Sequence, residues 1–98
     1  MKTPESYIRD PVRKWLKTLG PNCYRFSPVQ MGMGSPTLDD LCCIYGKFVG
    51  LEYKAPGKVP TERQQLTMRQ MHQAGGIAIW GDSSESIIEQ IKTTLGLQ

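Results

Sequence analysis

Two carboxylates and a lysine define the chemistry open to this chain. Glu52 and Lys54 lie two positions apart in a stretch, residues 47–54, with the composition of a β-strand. A strand turns every second side chain to the same face, so the acid and the base project together. Residues 38–45 form an earlier, largely apolar run holding Asp39 and Asp40 near its start, and Gly46 divides the two runs as a tight turn does. Antiparallel pairing folds the outer ends of the runs together and brings an aspartate beside Glu52. Neighbours on a strand face opposite ways, so only one of Asp39 and Asp40 can point at Glu52. Carboxylate oxygens next to an ammonium group make a seat for a divalent cation beside a fixed positive charge. The plainer alternative is an exposed Glu52–Lys54 ion pair, which does little for stability.

The elements that must position these groups are readable from spacing. Thr3-Pro4-Glu5 starts a helix with a hydroxyl cap, a proline at the first helical position and an early acid. Ile8, Val12, Trp15, Leu16 and Leu19 recur at helical spacing, which predicts a kink at Pro11 rather than a second helix, with Gly20-Pro21 as the stop. Residues 23–26 read as a short strand. Residues 27–37 form a glycine-containing loop that lacks the Lys-Ser/Thr ending of a phosphate cradle; its functional reading is a flap leading into the site. The nearly continuous apolar run through residues 41–45 predicts a strand covered on both faces. Residues 55–60 break the second strand of the hairpin, and Thr61 caps a helix reaching about Ala74. Residues 77–80 form a last strand, and Asp82 with Glu85 fits a cap for a final helix carrying Ile87, Ile88, Ile91 and Leu95. The order is α-β-β-β-α-β-α. A strand–helix–strand crossover sets the last strand parallel to the one carrying Glu52, so the expected fold is α/β, a mixed sheet flanked by helices, in one domain over residues 1–98.

Charge narrows the partners. Residues 1–69 carry eleven Lys and Arg against six Asp and Glu, whereas residues 70–98 carry one against three. The positive surplus lies on the segments that hold the candidate site, which favours a polyanionic partner. Lys58 and Arg63 flank the site and are candidate contacts to a DNA backbone, with Arg13 on the first helix a third. No apolar run is long enough to span a membrane, and the polar start has no signal-peptide core. Three cysteines without metal-binding spacing read as thiols in a reducing cytosol. His72, the single histidine, sits mid-helix and leaves no basis for histidine-dependent hydrolysis.

The ordered set Glu5, Asp39, Glu52-Tyr53-Lys54 and Gln64 resembles the PD-(D/E)xK nuclease superfamily, and more closely its small VRR-NUC branch. Gly34 and Pro36 ahead of Asp39, residues 46–57, Thr61-Glu62-Arg63-Gln64 and Gly75-Gly76 extend the likeness from Glu5 to about Glu89. The chain departs from the pattern where Thr37 and Leu38 separate Pro36 from the aspartate. The register of the resemblance selects Asp39, thirteen positions before Glu52, with Asp40 as the alternative. The resemblance implies a restriction-endonuclease-like core and DNA phosphodiester hydrolysis dependent on Mg²⁺ or Mn²⁺. Asp39, Glu52 and the Tyr53 backbone carbonyl would hold the metal, with Glu5 as an additional ligand. Lys54 would orient water or stabilise the transition state, and Gln64 would bond the water or a phosphate. It further implies a homodimer cutting branched DNA, such as a Holliday junction, in the cytoplasm of a bacterium or a phage-infected host. The rivals are a non-catalytic module that binds DNA structures and a protein-interaction domain.

Overall fold

The computed structural model describes residues 2–29 and 36–98. The glycines Gly32 and Gly34, with most of the expected flap, lie outside the described residues.

Helix α1 (Pro4–Lys17) begins where Thr3 accepts the backbone N–H of Ser6, and it continues through Pro11 as one helix. A one-turn 3₁₀ segment, Gly20–Asn22, leads to strand β1 (Cys23–Phe26). Strands β2 (Asp40–Ile44) and β3 (Lys47–Tyr53) form the hairpin. Tyr45 and Gly46, at φ 49° and 79°, make the two-residue turn, and Ile44 pairs directly with Lys47. Two successive positive φ values match the right-handed twist of the flanking strands, and glycine at the second position removes part of the cost.

Helix α2 (Glu62–Gln73) is held at its start by a reciprocal cap between Thr61 and Gln64, and strand β4 (Ile77–Gly81) follows. Helix α3 (Ser84–Leu95) ends at Gly96 in the left-handed conformation. Its cap differs from the sequence expectation: Ser83, not Asp82, accepts the N–H of Ser86. Asp82 accepts the Gly57 N–H instead, at 3.0 Å, and so ties the loop after β3 to the end of β4.

The sheet order is β1-β2-β3-β4, antiparallel across β1, β2 and β3, with β4 parallel to β3. This is the expected mixed sheet. On one face Cys42, Ile44, Val49, Leu51, Tyr53 and Ile79 form a core with Ile8, Val12 and Leu16 of α1 and Ile87 and Ile91 of α3. The opposite face takes α2, where Gly50 leaves room for Met71. That cover is incomplete. Cys43 is exposed and Leu41 half-buried, so β2 is sealed on one face only, contrary to the reading of its apolar run. Helix α2 contacts β4, on the far side of the sheet from β1 and β2, and leaves Tyr24, Phe26 and Phe48 exposed.

Candidate metal and phosphodiester site

The alternation of two strands builds the site. Asp40 pairs with Leu51, so continuing the antiparallel register sets Asp39 opposite Glu52. Opposed residues on paired strands share a face, which sends Asp39, Glu52 and Lys54 to one side and Asp40 and Tyr53 to the other. Asp39 is fixed by the backbone N–H of Tyr53, which donates to its Oδ2 at 2.9 Å. In an extended strand a residue's N–H and C=O point to the same edge, so the Tyr53 carbonyl lies on Asp39's edge of β3.

Glu52 is the unusual member. It is 3% exposed, and its Oε2 accepts from Gln64 Nε2 at 3.0 Å and lies 3.6 Å from Lys54 Nζ. Its other oxygen, Oε1, is buried with no hydrogen-bond donor. Burial, reinforced by the charge of Asp39, pushes its carboxyl up to about 8. A buried carboxylate oxygen without a donor, beside a second carboxylate, requires either a proton or a cation.

Glu5, Asp39, Glu52, Tyr53 and Lys54 line a single cleft, joined by Thr3, Arg9, Arg13, Ser27 and Pro28. The first helix therefore brings Glu5 to the hairpin's acids. Gln64 reaches the group through its bond to Glu52. Lys58 and Arg63 are exposed and stand outside the cleft lining. Arg13 lines the cleft, but its guanidinium is already forked onto Asp40, Nε to Oδ2 at 2.9 Å and Nη2 to Oδ1 at 2.8 Å. Asp40 itself is wholly buried on the core face, and that excludes it as the partner of Glu52. Burial alone would raise its carboxyl, but donors from Arg13, Ser27 and Tyr53 outweigh that and hold it below the usual range. Arg9, Thr3 and Ser27 had no sequence signal as site residues; the first two arrive with α1 and its cap, and Ser27 with the end of β1.

The donor set suits a small hard cation. Among the described residues no three acidic, histidine or cysteine side chains gather into a full protein cage. Mg²⁺ is commonly held by one or two carboxylates and keeps several waters, so two carboxylates and a nearby carbonyl satisfy its demand.

No protein-family model and no curated protein sequence matches the chain. A solved structure described as a "VRR_NUC domain" does match in three dimensions, with a TM-score of 0.77 over 93% of this chain and 97% of that one, at 17% identity. The chain has the fold of a VRR_NUC domain. Within that fold the cleft is lined by α1 and its cap, the segment after β1 and the outer ends of the hairpin strands. No helix among the described residues is long and apolar enough to cross a membrane.

Proposed function

We propose that the protein is a nuclease that hydrolyses DNA phosphodiester bonds with a bound Mg²⁺ or Mn²⁺. The observation carrying this reading is the buried, donorless Oε1 of Glu52 on a residue set opposite Asp39, with Lys54 on the same carboxylate. The likeness to a VRR_NUC domain supports it. Asp39 and Glu52 would hold the ion, with the Tyr53 carbonyl beside them and Glu5 at the rim. Such an ion supplies a water activated near neutral pH and positive charge against the phosphate oxygens. Lys54 would present a point charge to the negative charge carried by the phosphoryl oxygens. Gln64 holds Glu52 in place, and Lys58 and Arg63 are exposed for the DNA backbone. One site per chain fits a two-fold dimer when two strands of a junction are to be cut, so we assign branched DNA and a homodimer on that argument and on the sequence resemblance. The free thiols suit a reducing cytosol.

The test is cleavage of labelled junction, flap and duplex DNA with each metal, beside Glu52→Gln and Lys54→Ala. Metal-dependent products from the parent and loss of at least ~100-fold in either variant are expected. Absence of any metal-dependent product on all three substrates, with binding retained, would establish the non-catalytic DNA-binding module instead.

A further inference from the structure

On the other face of the same two strand ends lies a second polar cluster, centred on Asp40, whose members Arg13, Ser27 and Tyr53 also border the cleft. Asp40 accepts four hydrogen bonds: two from Arg13, one from Ser27 Oγ at 2.6 Å onto Oδ1 and one from the Tyr53 hydroxyl onto Oδ2. Arg25 adds a guanidinium 3.5 Å from Oδ1 and donates to Ser27. The donors come from α1, from β1 and the segment just after it, and from the end of β3. Each of the two strands contributes adjacent residues to both clusters. Asp39 points into the cleft and Asp40 into the clamp; Glu52 and Lys54 point into the cleft and Tyr53, between them, into the clamp.

We infer that the Arg13–Asp40–Tyr53 clamp is a positioning device for the metal seat. It fixes the separation of Asp39 and Glu52 from behind by locking the backbone that carries both. The inference rests on the nuclease reading for the cleft's role. First, the clamp joins the two backbones at the ends where the β2–β3 ladder runs out, since the outermost ladder pair is Asp40 with Leu51. Beyond that pair, the two strand ends are held by the Tyr53 N–H to Asp39 bond and by the Tyr53 hydroxyl to Asp40 bond. Second, Asp40 has both oxygens doubly satisfied and is wholly buried, so a displaced clamp cannot exchange its partners for water. Third, hydrogen bonds behind metal ligands set ligand geometry, and their loss typically lowers metal affinity about 10–100-fold.

The experiment is Mn²⁺ titration of the full chain by isothermal calorimetry, without DNA, for the parent, Asp39→Asn, Tyr53→Phe, Arg13→Ala and Arg13→Lys, with the thermal midpoint of each. Tyr53→Phe removes one hydroxyl and keeps the ring in the core. It is expected to keep a cooperative fold and bind Mn²⁺ roughly tenfold more weakly. Arg13→Ala should weaken binding at least as much, and Arg13→Lys should restore part of it, because an ammonium replaces the charge without the fork. Should Arg13→Ala fail to fold, Tyr53→Phe alone decides. Parent-like Mn²⁺ affinity in a folded Tyr53→Phe overturns the clamp while leaving the metal reading intact. A parent chain that binds no Mn²⁺, or binds it equally well as Asp39→Asn, overturns the metal reading and the clamp's role with it.

Discussion

Gln64 donates its Nε2 to Glu52 at 3.0 Å while its Oε1 accepts the backbone N–H of Thr61 at 2.9 Å. One side-chain amide therefore closes the cap of α2 and supplies the donor to the buried acid. The two ends of an amide are chemically distinct, and the cap settles which end faces the carboxylate. The sequence reading assigns Gln64 to water or phosphate; in the fold one of its two N–H donors goes to Glu52.

Replacing Gln64 by glutamate separates these two duties. Glutamate serves the reciprocal cap as well as glutamine does, so the start of the helix should be kept. Against Glu52, however, an acceptor replaces a donor. Gln64→Glu is expected to lower the rate of DNA cleavage about tenfold or more, by the loss of a bond that orients a metal ligand. Initial rates at saturating Mg²⁺, paired with a melting curve, check it.

Glu52 and Asp40 give the metal-free protein opposed responses to pH. Glu52 is raised from 4.5 to about 8, so its contribution is fully present below about 4.5 and is lost as the pH rises through 8. Asp40 is lowered from 3.8, so its contribution is present above that value and is lost as the pH falls through its depressed pKa. Without metal, Glu52→Gln should therefore melt higher than the parent at pH 8 and close to it at pH 5. Each kcal/mol relieved corresponds to roughly 4–8 °C in a domain of this size. Melting scans in chelator at the two pH values decide it; a parent that is the more stable at pH 8 would refute the account of Glu52.

Mn²⁺ should remove that alkaline weakness. At a concentration about 100 times its dissociation constant, a ligand confined to the folded state adds about 2.7 kcal/mol. The parent should therefore gain on the order of 10 °C at pH 8, whereas Asp39→Asn should gain little. The readout is the midpoint shift on adding the ion.

Gly81 ends β4 directly over α3. A Cβ there would lie 2.7 Å from Cγ1 of Ile87, which is wholly buried. Gly81→Ala should cost about 1–3 kcal/mol through overpacking, and it should cost less in an Ile87→Ala background, which lacks the clashing Cγ1. Urea midpoints of the single and double variants measure the coupling.

Most of the scaffold was legible because its signals are local. Thr3, Thr61 and the Tyr45-Gly46 turn announce their elements within four residues, and the strand period of two put Asp39 opposite Glu52 once the turn was known to be tight. The errors arose where neighbours compete. Asp82 and Ser83 are both good caps, and the choice fell to Ser83 because the distant Gly57 N–H takes Asp82. The apolar look of β2 concealed that α2 is too far across the sheet to cover Cys43. The Asp40 clamp was not legible at all. Arg13 and Asp40 stand 27 positions apart, and no spacing rule joins a helix arginine to a strand aspartate.

The two-residue turn also limits how this chain can change in length. With Ile44 and Lys47 held as the closing pair, one residue inserted into β2 alone would slide Asp40 opposite Glu52 and turn its carboxylate away from Arg13. Unless a bulge absorbs the extra residue, growth must come as one residue in each strand at once. The distance between the two cleft acids, thirteen positions here, would then step only to eleven or fifteen. Parity, rather than any single spacing, is what a tight hairpin imposes on a lineage that keeps this cleft.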